Sequence, residues 1–493
     1  MKFSRKYFEP REKISPAELR KGLNMYVMDG ICSMGMTTMQ GGVYLTAFAL
    51  ALGASQKMVG FIASIAFLSQ LMQVPGLFIL QKSQVRKRNT AILATLARVL
   101  WIPILFIPMM TQSRVTILIL FLLISSMIAS LPAPSWNSLL RDLIPPKKIG
   151  RINSNRILIS TALALVLTIA GGYFVDTWTD HFPDHKLYAY SILFGIGVLS
   201  GLIGVTAILR IPEPKRIIES LPLWTLLKTP MKDLNFRKLL LFLGFWNFAF
   251  NMSSPFFVVF MLKRLELSLF LVTVMLVISQ LTNILFLRIW GALADRYSNK
   301  SVLAISAPLF VIVVISWIFT ATPDPHQYTI PLLFIIHFVY GIALAGVTLG
   351  TTSIALKLSP PKQAHGYMTI VGMTTSVTGT LGPLIGGILA DIFSRIEIGI
   401  PLIITNEADT FTLPLISIEG LDFLFLVTFL VGILAIHFLS HVREEGEAPR
   451  KKVLDGFTEA VFTPLKSIAL VSGIWRIATM PFSGWMAERR KKK

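Results

Sequence analysis

Two pairs of side-chain amides are placed to hold a polar ligand: Gln70 with Gln73, and Gln280 with Asn283. Each pair is separated by one helical turn, so its members share a helix face and offer donors and acceptors together. Titratable groups are sparse around them. Asp29, Arg98 and Arg156 lie at similar depth within apolar stretches, a placement that favours a structural ion pair over proton coupling. His337 is the one centrally placed side chain of a type that titrates near neutrality; His437 lies on a peripheral stretch. For each of these residues two roles stay open, since polar groups in apolar helices either meet a ligand or tie helices together.

Other chemistries are excluded. The chain has no P-loop, no Walker-type lysine, no His-Glu-x-x-His and no carboxylate cluster for a metal. It therefore reads as a non-enzyme with no catalytic residues, no cofactor and no metal site. Cys32 is the sole cysteine and rules out an internal disulfide. The net charge of +20 could speak for nucleic acid, but its positive residues cluster between apolar stretches, and no basic region is large enough to fold alone.

The elements that must position these residues are membrane spans. Hydrophobic residues make up 54% of the 493 positions, charged residues only 15%, and the mean hydropathy is +0.67. Soluble chains carry roughly a quarter charged residues. Apolar stretches long enough to span fall at 25–52, 58–80, 90–110, 115–140, 152–178, 187–209, 239–262, 269–294, 302–321, 330–358, 367–393 and 421–439. These are twelve transmembrane helices, an all-α integral membrane fold with both termini on one side. The alternate loops and the tails on that side hold 37 of the 46 Lys and Arg, the opposite loops only 6. The positive-inside rule then puts both termini in the cytoplasm of a multi-pass protein of the cell membrane, a bacterial inner membrane by expectation. The first apolar stretch acts as an uncleaved signal anchor.

An internal repeat organises the spans. Pro145-Pro146, Gly171-Gly172 and Asp176 recur as Pro360-Pro361, Gly386-Gly387 and Asp391, at a constant offset of 215. Ser69–Gln73 is echoed by Ser279–Asn283, and Leu52-Gly-Ala-Ser55 by Leu265-Glu-Leu-Ser268. Two six-helix bundles of like orientation follow, related by an axis along the membrane normal. The expected division is an N-tail 1–22, a bundle 23–210, a linker 211–236, a second bundle 237–441 and a basic C-tail 442–493. Within that tail, 457–486 reads as an interfacial amphipathic segment, and Arg489–Lys493 as a cluster drawn to anionic lipid.

Between the eighth and ninth spans, Gly291-Ala-Leu-Ala-Asp295-Arg296-Tyr-Ser-Asn-Lys300 resembles the signature loop of the major facilitator superfamily. Ser298 and Asn299 depart from that pattern, and the corresponding stretch Leu80–Arg88 carries Gln84 in place of the aspartate. The resemblance covers residues 22–441. It implies a pseudo-symmetric carrier with a gate of Gly291, Asp295, Arg296 and Lys300, in which Asp295 faces the start of the fifth span near Gly150–Arg151. The Gly382-Pro383-x-x-Gly386-Gly387 run resembles an element of exchangers in this superfamily, but helix packing between the halves is the preferred account.

Spans 1, 4, 7 and 10 line the cavity of this superfamily. Carried onto this chain, those positions offer Thr37, Thr38 and Gln40; Trp136 and Asn137; Asn247, Asn251, Ser253 and Ser254; and His337, Tyr340, Thr348 and Thr351. With the two amide pairs, this set of neutral hydrogen-bonding groups and aromatics suits a neutral or amphipathic organic solute. The expected partners are that small molecule and the bilayer, and the expected state is a monomer. A non-transporting sensor or scaffold on the same fold is the second reading, and an integral membrane enzyme the third.

Overall fold

The computed structural model describes residues 8, 10–83, 85–145, 148–215, 230–321, 327–360, 363–405 and 410–467. Among the described residues, eleven helices are long and apolar enough to cross a membrane. In chain order they are α3 (Gln56–Ser83), α4 (Arg86–Met109), α5 (Arg114–Leu143), α6 (Ile149–His181), α7 (Pro183–Leu209), α8 (Leu234–Lys263), α9 (Leu269–Arg296), α10 (Asn299–Thr320), α11 (Thr329–Lys357), α12 (Gly366–Phe393) and α13 (Leu421–Ser440). They are preceded by α1 (Pro16–Gln40) and α2 (Gly42–Ala51). Helix is the form expected of such stretches, because lipid offers no partner to an unpaired backbone group.

The first predicted span is not one continuous helix. α1 starts at Pro16, where Glu18 N donates to Ser15 Oγ and Ser15 N donates back to Glu18 Oε2, a capping box that extends the helix into the expected N-tail. It stops at Gln40, since Gly41 is extended (φ −126°, ψ −165°), and Gly42 has φ +53°, a left-handed value suited to glycine.

Packing pairs repeat along the chain. α1 packs on α6 and α7, α4 on α5 and α7, and α3 on α5. Likewise α8 packs on α12 and α13, α10 on α11 and α13, and α9 on α11. Further contacts join these sets, chiefly α3 with α12, α6 with α9, and α2 with α8. Aromatic rings fill both interiors, as where Phe194 meets Phe48 and Trp101, and where Phe257 stacks on Trp317 at 4.8 Å.

The two faces of the molecule differ. At the linker face, where α7 ends and α8 starts, Arg11 N donates to Glu213 O and Lys215 N to Arg11 O. There too Asn235 Nδ2 donates to Arg443 O at 2.8 Å. At the opposite face, β1 (Glu397–Thr405) and β2 (Thr410–Glu419) pair antiparallel, with Glu397 opposite Glu419 and a bulge between Ile400 and Pro401. This hairpin corrects the purely helical expectation, and Glu419 anchors it through an ion pair with Arg264.

After α13 the chain forms α14 (Arg450–Ser467), which starts ahead of the expected amphipathic segment and packs on α9 and α10. The Phe457 ring stacks on Trp290 at 4.6 Å. Gln84, Pro146, Pro361, most of the linker and the Arg489–Lys493 cluster lie outside the described residues.

Candidate functional site

Two cavities flank the break at Gly41 and share Thr37 and Gly41 as walls. One, of about 340 Å³, lies between α1, α6 and α9 and is lined by Thr38, Thr161, Thr168 and Gln280. It therefore draws polar groups from both sets of helices. The other, of about 440 Å³, lies among α1, α3, α4 and α5 and is lined by Ser33, Gln40, Arg98, Trp101 and Ser125 among mostly apolar side chains. Both combine apolar walls with a few convergent polar groups, the usual make-up of a small-molecule site.

Arg98 sits 3.8 Å from Asp29 Oδ1, and its Nη2 donates to Ser33 Oγ at 3.3 Å. Ser33 Oγ in turn donates to Asp29 Oδ1 at 3.3 Å. Arg156 makes no ion pair among the described residues: its Nη1 donates to the Tyr26 hydroxyl at 3.2 Å and its guanidinium lies over the Tyr26 ring. The ion pair expected among the three residues is thus Asp29 with Arg98.

The expected ligand-binding residues divide. Thr38 and Gln280 share the first cavity, and Gln40 lines the second while its Nε2 donates to Phe194 O at 3.2 Å. Gln70 Oε1 accepts from Ser376 Oγ of α12 at 3.4 Å, whereas Gln73 is exposed. Asn283 packs beside Gly341 on α11. Asn247 Nδ2 donates to Leu243 O and Asn251 Nδ2 to Asn247 O, so both amides turn back onto their own helix. His337 is buried with Nδ1 2.8 Å from Ser279 Oγ and its ring edge-on to Trp317. Tyr340 packs among Phe257, Phe310 and His337. Trp136 faces Tyr26 near the linker face, and Asn137 is exposed. None of these nine, from Gln70 to Asn137, lines either cavity.

The repeat motifs meet at the hairpin face. Ser268 Oγ accepts from Leu271 N at the start of α9, and Asp176 from α6 accepts there from Leu269 N at 3.2 Å and Phe270 N at 2.7 Å. At the start of α3, Ser55 Oγ accepts from Met58 N, and Asp391 from α12 accepts from Lys57 N at 3.2 Å. Each carboxylate also complements the positive end of a helix dipole. The neighbouring glycines allow the approach: a Cβ on Gly172 would lie 3.2 Å from Phe270 Cα, and one on Gly387 3.0 Å from Lys57 Cα. We refer to these two junctions as the outer clasps. Asp176 and Asp391 were not among the expected site residues, although the repeat that contains them was visible.

At the linker face two glutamates take the equivalent place. Glu213 is buried and accepts from Arg86 N at 2.8 Å and Lys87 N at 3.1 Å. The Arg86 guanidinium, also buried, pairs with Glu213 at 3.2 Å and with Asp142 at 2.5 Å. Glu444 accepts from Asn299 Nδ2 at 2.9 Å and Lys300 N at 2.7 Å, and pairs with Lys357 at 2.9 Å. Of the expected gate, Arg296 lies 3.9 Å from Glu459 of α14, and Lys300 Nζ donates to Glu447 at 2.8 Å. Asp295 is exposed with no hydrogen bond or ion pair among the described residues, and a side chain on Gly291 or Gly150 would meet open space. The expected contact of Asp295 with Gly150–Arg151 is therefore not made in this conformation.

The fold is shared with known transporters. The nucleoside transporter NupG gives a TM-score of 0.61 at 16% identity, covering 87% of this chain and 100% of that one. A bacterial homologue of the human lysosomal transporter Spinster, inward-facing and unoccupied, gives 0.61 at 13% identity, covering 91% and 99%. A D-xylose-proton symporter gives 0.61 at 13%, covering 88% and 99%. At these identities the likeness is one of fold. No curated protein matches the sequence. The family model described as Major Facilitator Superfamily matches residues 30–335 and 248–488, most of the chain, and the protein belongs to that superfamily.

Proposed function

We propose that the protein is a secondary transporter, active or facilitative, that moves a small neutral or amphipathic organic solute by alternating access. The observation that carries this reading is the cavity in which Thr38 and Gln280 face one space from opposite sets of helices. A ligand held there touches both sets, so its binding energy can bias how they are arranged. Gln40 and Arg98, the latter paired with Asp29 behind it, extend the polar lining in the adjoining cavity.

On this reading α1 and α2 together form a twelfth span, and the packing pairs correspond to two six-helix bundles, 23–210 and 237–441. The repeated order of those pairs supports it. Both termini, the linker and the C-tail are then cytoplasmic, as the distribution of Lys and Arg supports. The outer clasps hold the external ends of the bundles together, while Asp295 stands free among the described residues; this combination belongs to an inward-facing carrier. In the opposite state Asp295 would engage the start of α6, with Gly291, Arg296 and Lys300 shaping the gate. The basic end of the C-tail meets anionic lipid, and the carrier acts as a monomer in a bacterial inner membrane.

The test is uptake of a panel of labelled nucleosides, sugars and amphipathic organic compounds into proteoliposomes holding the purified protein. Uptake that Gln280→Ala abolishes supports the reading; saturable binding without flux for any compound would instead establish a sensor or scaffold.

A further inference from the structure

A groove of about 580 Å³ runs between α8 and α12 on the linker-face side, apart from both cavities at Gly41. Its walls are almost wholly apolar, with Leu241, Phe245 and Phe248 from α8 and Ile370 from α12; Leu241 remains 47% exposed. The charged exception is Arg237, whose guanidinium makes no hydrogen bond or ion pair among the described residues.

Gly244 explains why the space is there. A Cβ at Gly244 would lie 3.5 Å from Thr374 Cγ2 and 3.7 Å from Thr378 Cγ2, ordinary contact distances, so close backbone approach does not demand glycine. What its missing side chain does is leave the floor of the groove open. Farther along the same pair of helices the situation reverses: a Cβ on Gly382 would come within 2.7 Å of Phe248 O. The helices are thus sealed toward the hairpin face and parted toward the linker face.

The dimensions fit one lipid leaflet. From Arg237 to Phe248 is eleven residues, about 16 Å along a helix at 1.5 Å per residue. That is close to half of a hydrocarbon core of roughly 30 Å. Arg237 stands at the end where the basic loops gather, hence at headgroup level, and a guanidinium recognises phosphate through paired hydrogen bonds. We propose that this groove is a binding site for one acidic phospholipid of the linker-side leaflet, its acyl chain lying along Leu241, Phe245 and Phe248 and its phosphate on Arg237. The proposal does not depend on transport.

Native mass spectrometry of the delipidated full-length protein, titrated with dioleoyl phosphatidylglycerol or dioleoyl phosphatidylcholine, tests it. The wild type should favour the acidic lipid by about fivefold, the worth of one basic charge near an anionic surface. Arg237→Gln should lower the acidic lipid to the level of the neutral one, Lys238→Gln should leave the preference intact, and Gly244→Leu should reduce both. If Gly244→Leu does not fold, Leu241→Trp fills the same groove. Equal binding of the two lipids by the wild type would overturn the proposal, as would a loss in Lys238→Gln equal to that in Arg237→Gln. Full displacement by glycerol phosphate would overturn it too, since the site would then read a soluble phosphate and not a lipid.

Discussion

The linker-face ends of the two halves perform the same backbone task with differently placed side-chain charges. In the first half Glu213 caps the start of α4, its cation is Arg86 on that same helix start, and Asp142 of α5 completes the group. In the second half Glu444 caps the start of α10, but Arg86 has given way to Asn299. The cation there is Lys357 of α11, which stands where the repeat spacing of 215 places Asp142. What the repeat preserves is a carboxylate on the exposed amides of a helix start; its positive counter-charge is free to move to a neighbouring helix, where the position of Asp142 has become Lys357. Burial differs as well. The Arg86 and Glu213 side chains are each 1% exposed, whereas Lys357 is 47% exposed. The first half is keyed internally, and the second is open to water and to the tail through Lys300 and Glu447.

The sharpest way to break this comparison is Glu213→Ala. It leaves the buried Arg86 with Asp142 as its one remaining carboxylate and uncaps two amides, so a loss of about 2–4 kcal/mol is expected on thermal unfolding in detergent. An effect under a third of that would mean the two ends are equally dispensable. Next, Lys357→Asp sets a second carboxylate against buried Glu444 and should cost about 1–3 kcal/mol. Adding Asn299→Arg rebuilds the first half's arrangement in the second and should recover most of that loss; a merely additive double variant would refute the equivalence.

At the hairpin face the halves differ by degree. Asp176 takes two amides and Asp391 one, so Asp176→Ala should open its junction more, within the roughly 0.5–2 kcal/mol range of a lost cap. Faster thiol labelling of a cysteine placed at buried Thr273 reports the opening, and unchanged labelling would count against a clasp. The smallest effect concerns Glu447. Burial pushes its carboxyl up, but hydrogen bonds from Lys300 Nζ and Glu444 N outweigh this and hold it below the ordinary 4.5. Its contribution is therefore present above pH 4.5 and lost as pH falls through the lower folded-state value. For a partly exposed pair that is at most about 1 kcal/mol, so Glu447→Gln should flatten the acid limb of the stability curve only slightly.

The apolar stretches were legible because lipid imposes a length and a composition on every span. Both partners in each outer clasp were legible too, as the Gly-Gly…Asp and Leu-x-x-Ser repeats, but their meeting was not. Asp391 and Lys57 lie at distant points of the chain, and nothing local joins them. Glu213 and Glu444 gave no signal, since glutamates beside basic residues outside the apolar stretches read as solvated. The hairpin left a trace: Thr410–Glu419 alternates in the manner of a strand on both sides of Pro414. For Asn247 and Asn251, residue type indicated a hydrogen bond but not its recipient, which proved to be the helix's own carbonyls.

The interruption at Gly41 has a mechanical consequence. α1 packs on α6 and α7, and α2, a few residues on, is tied to the same two helices through the Tyr44 hydroxyl on Thr168 O and Phe48 on Phe194 while it also rests against α8 of the other half. A rigid rod across that point would transmit any tilt of one half to the other. Two glycines, one extended and one left-handed, instead give α2 a direction of its own, so that it touches both halves without continuing the line of α1.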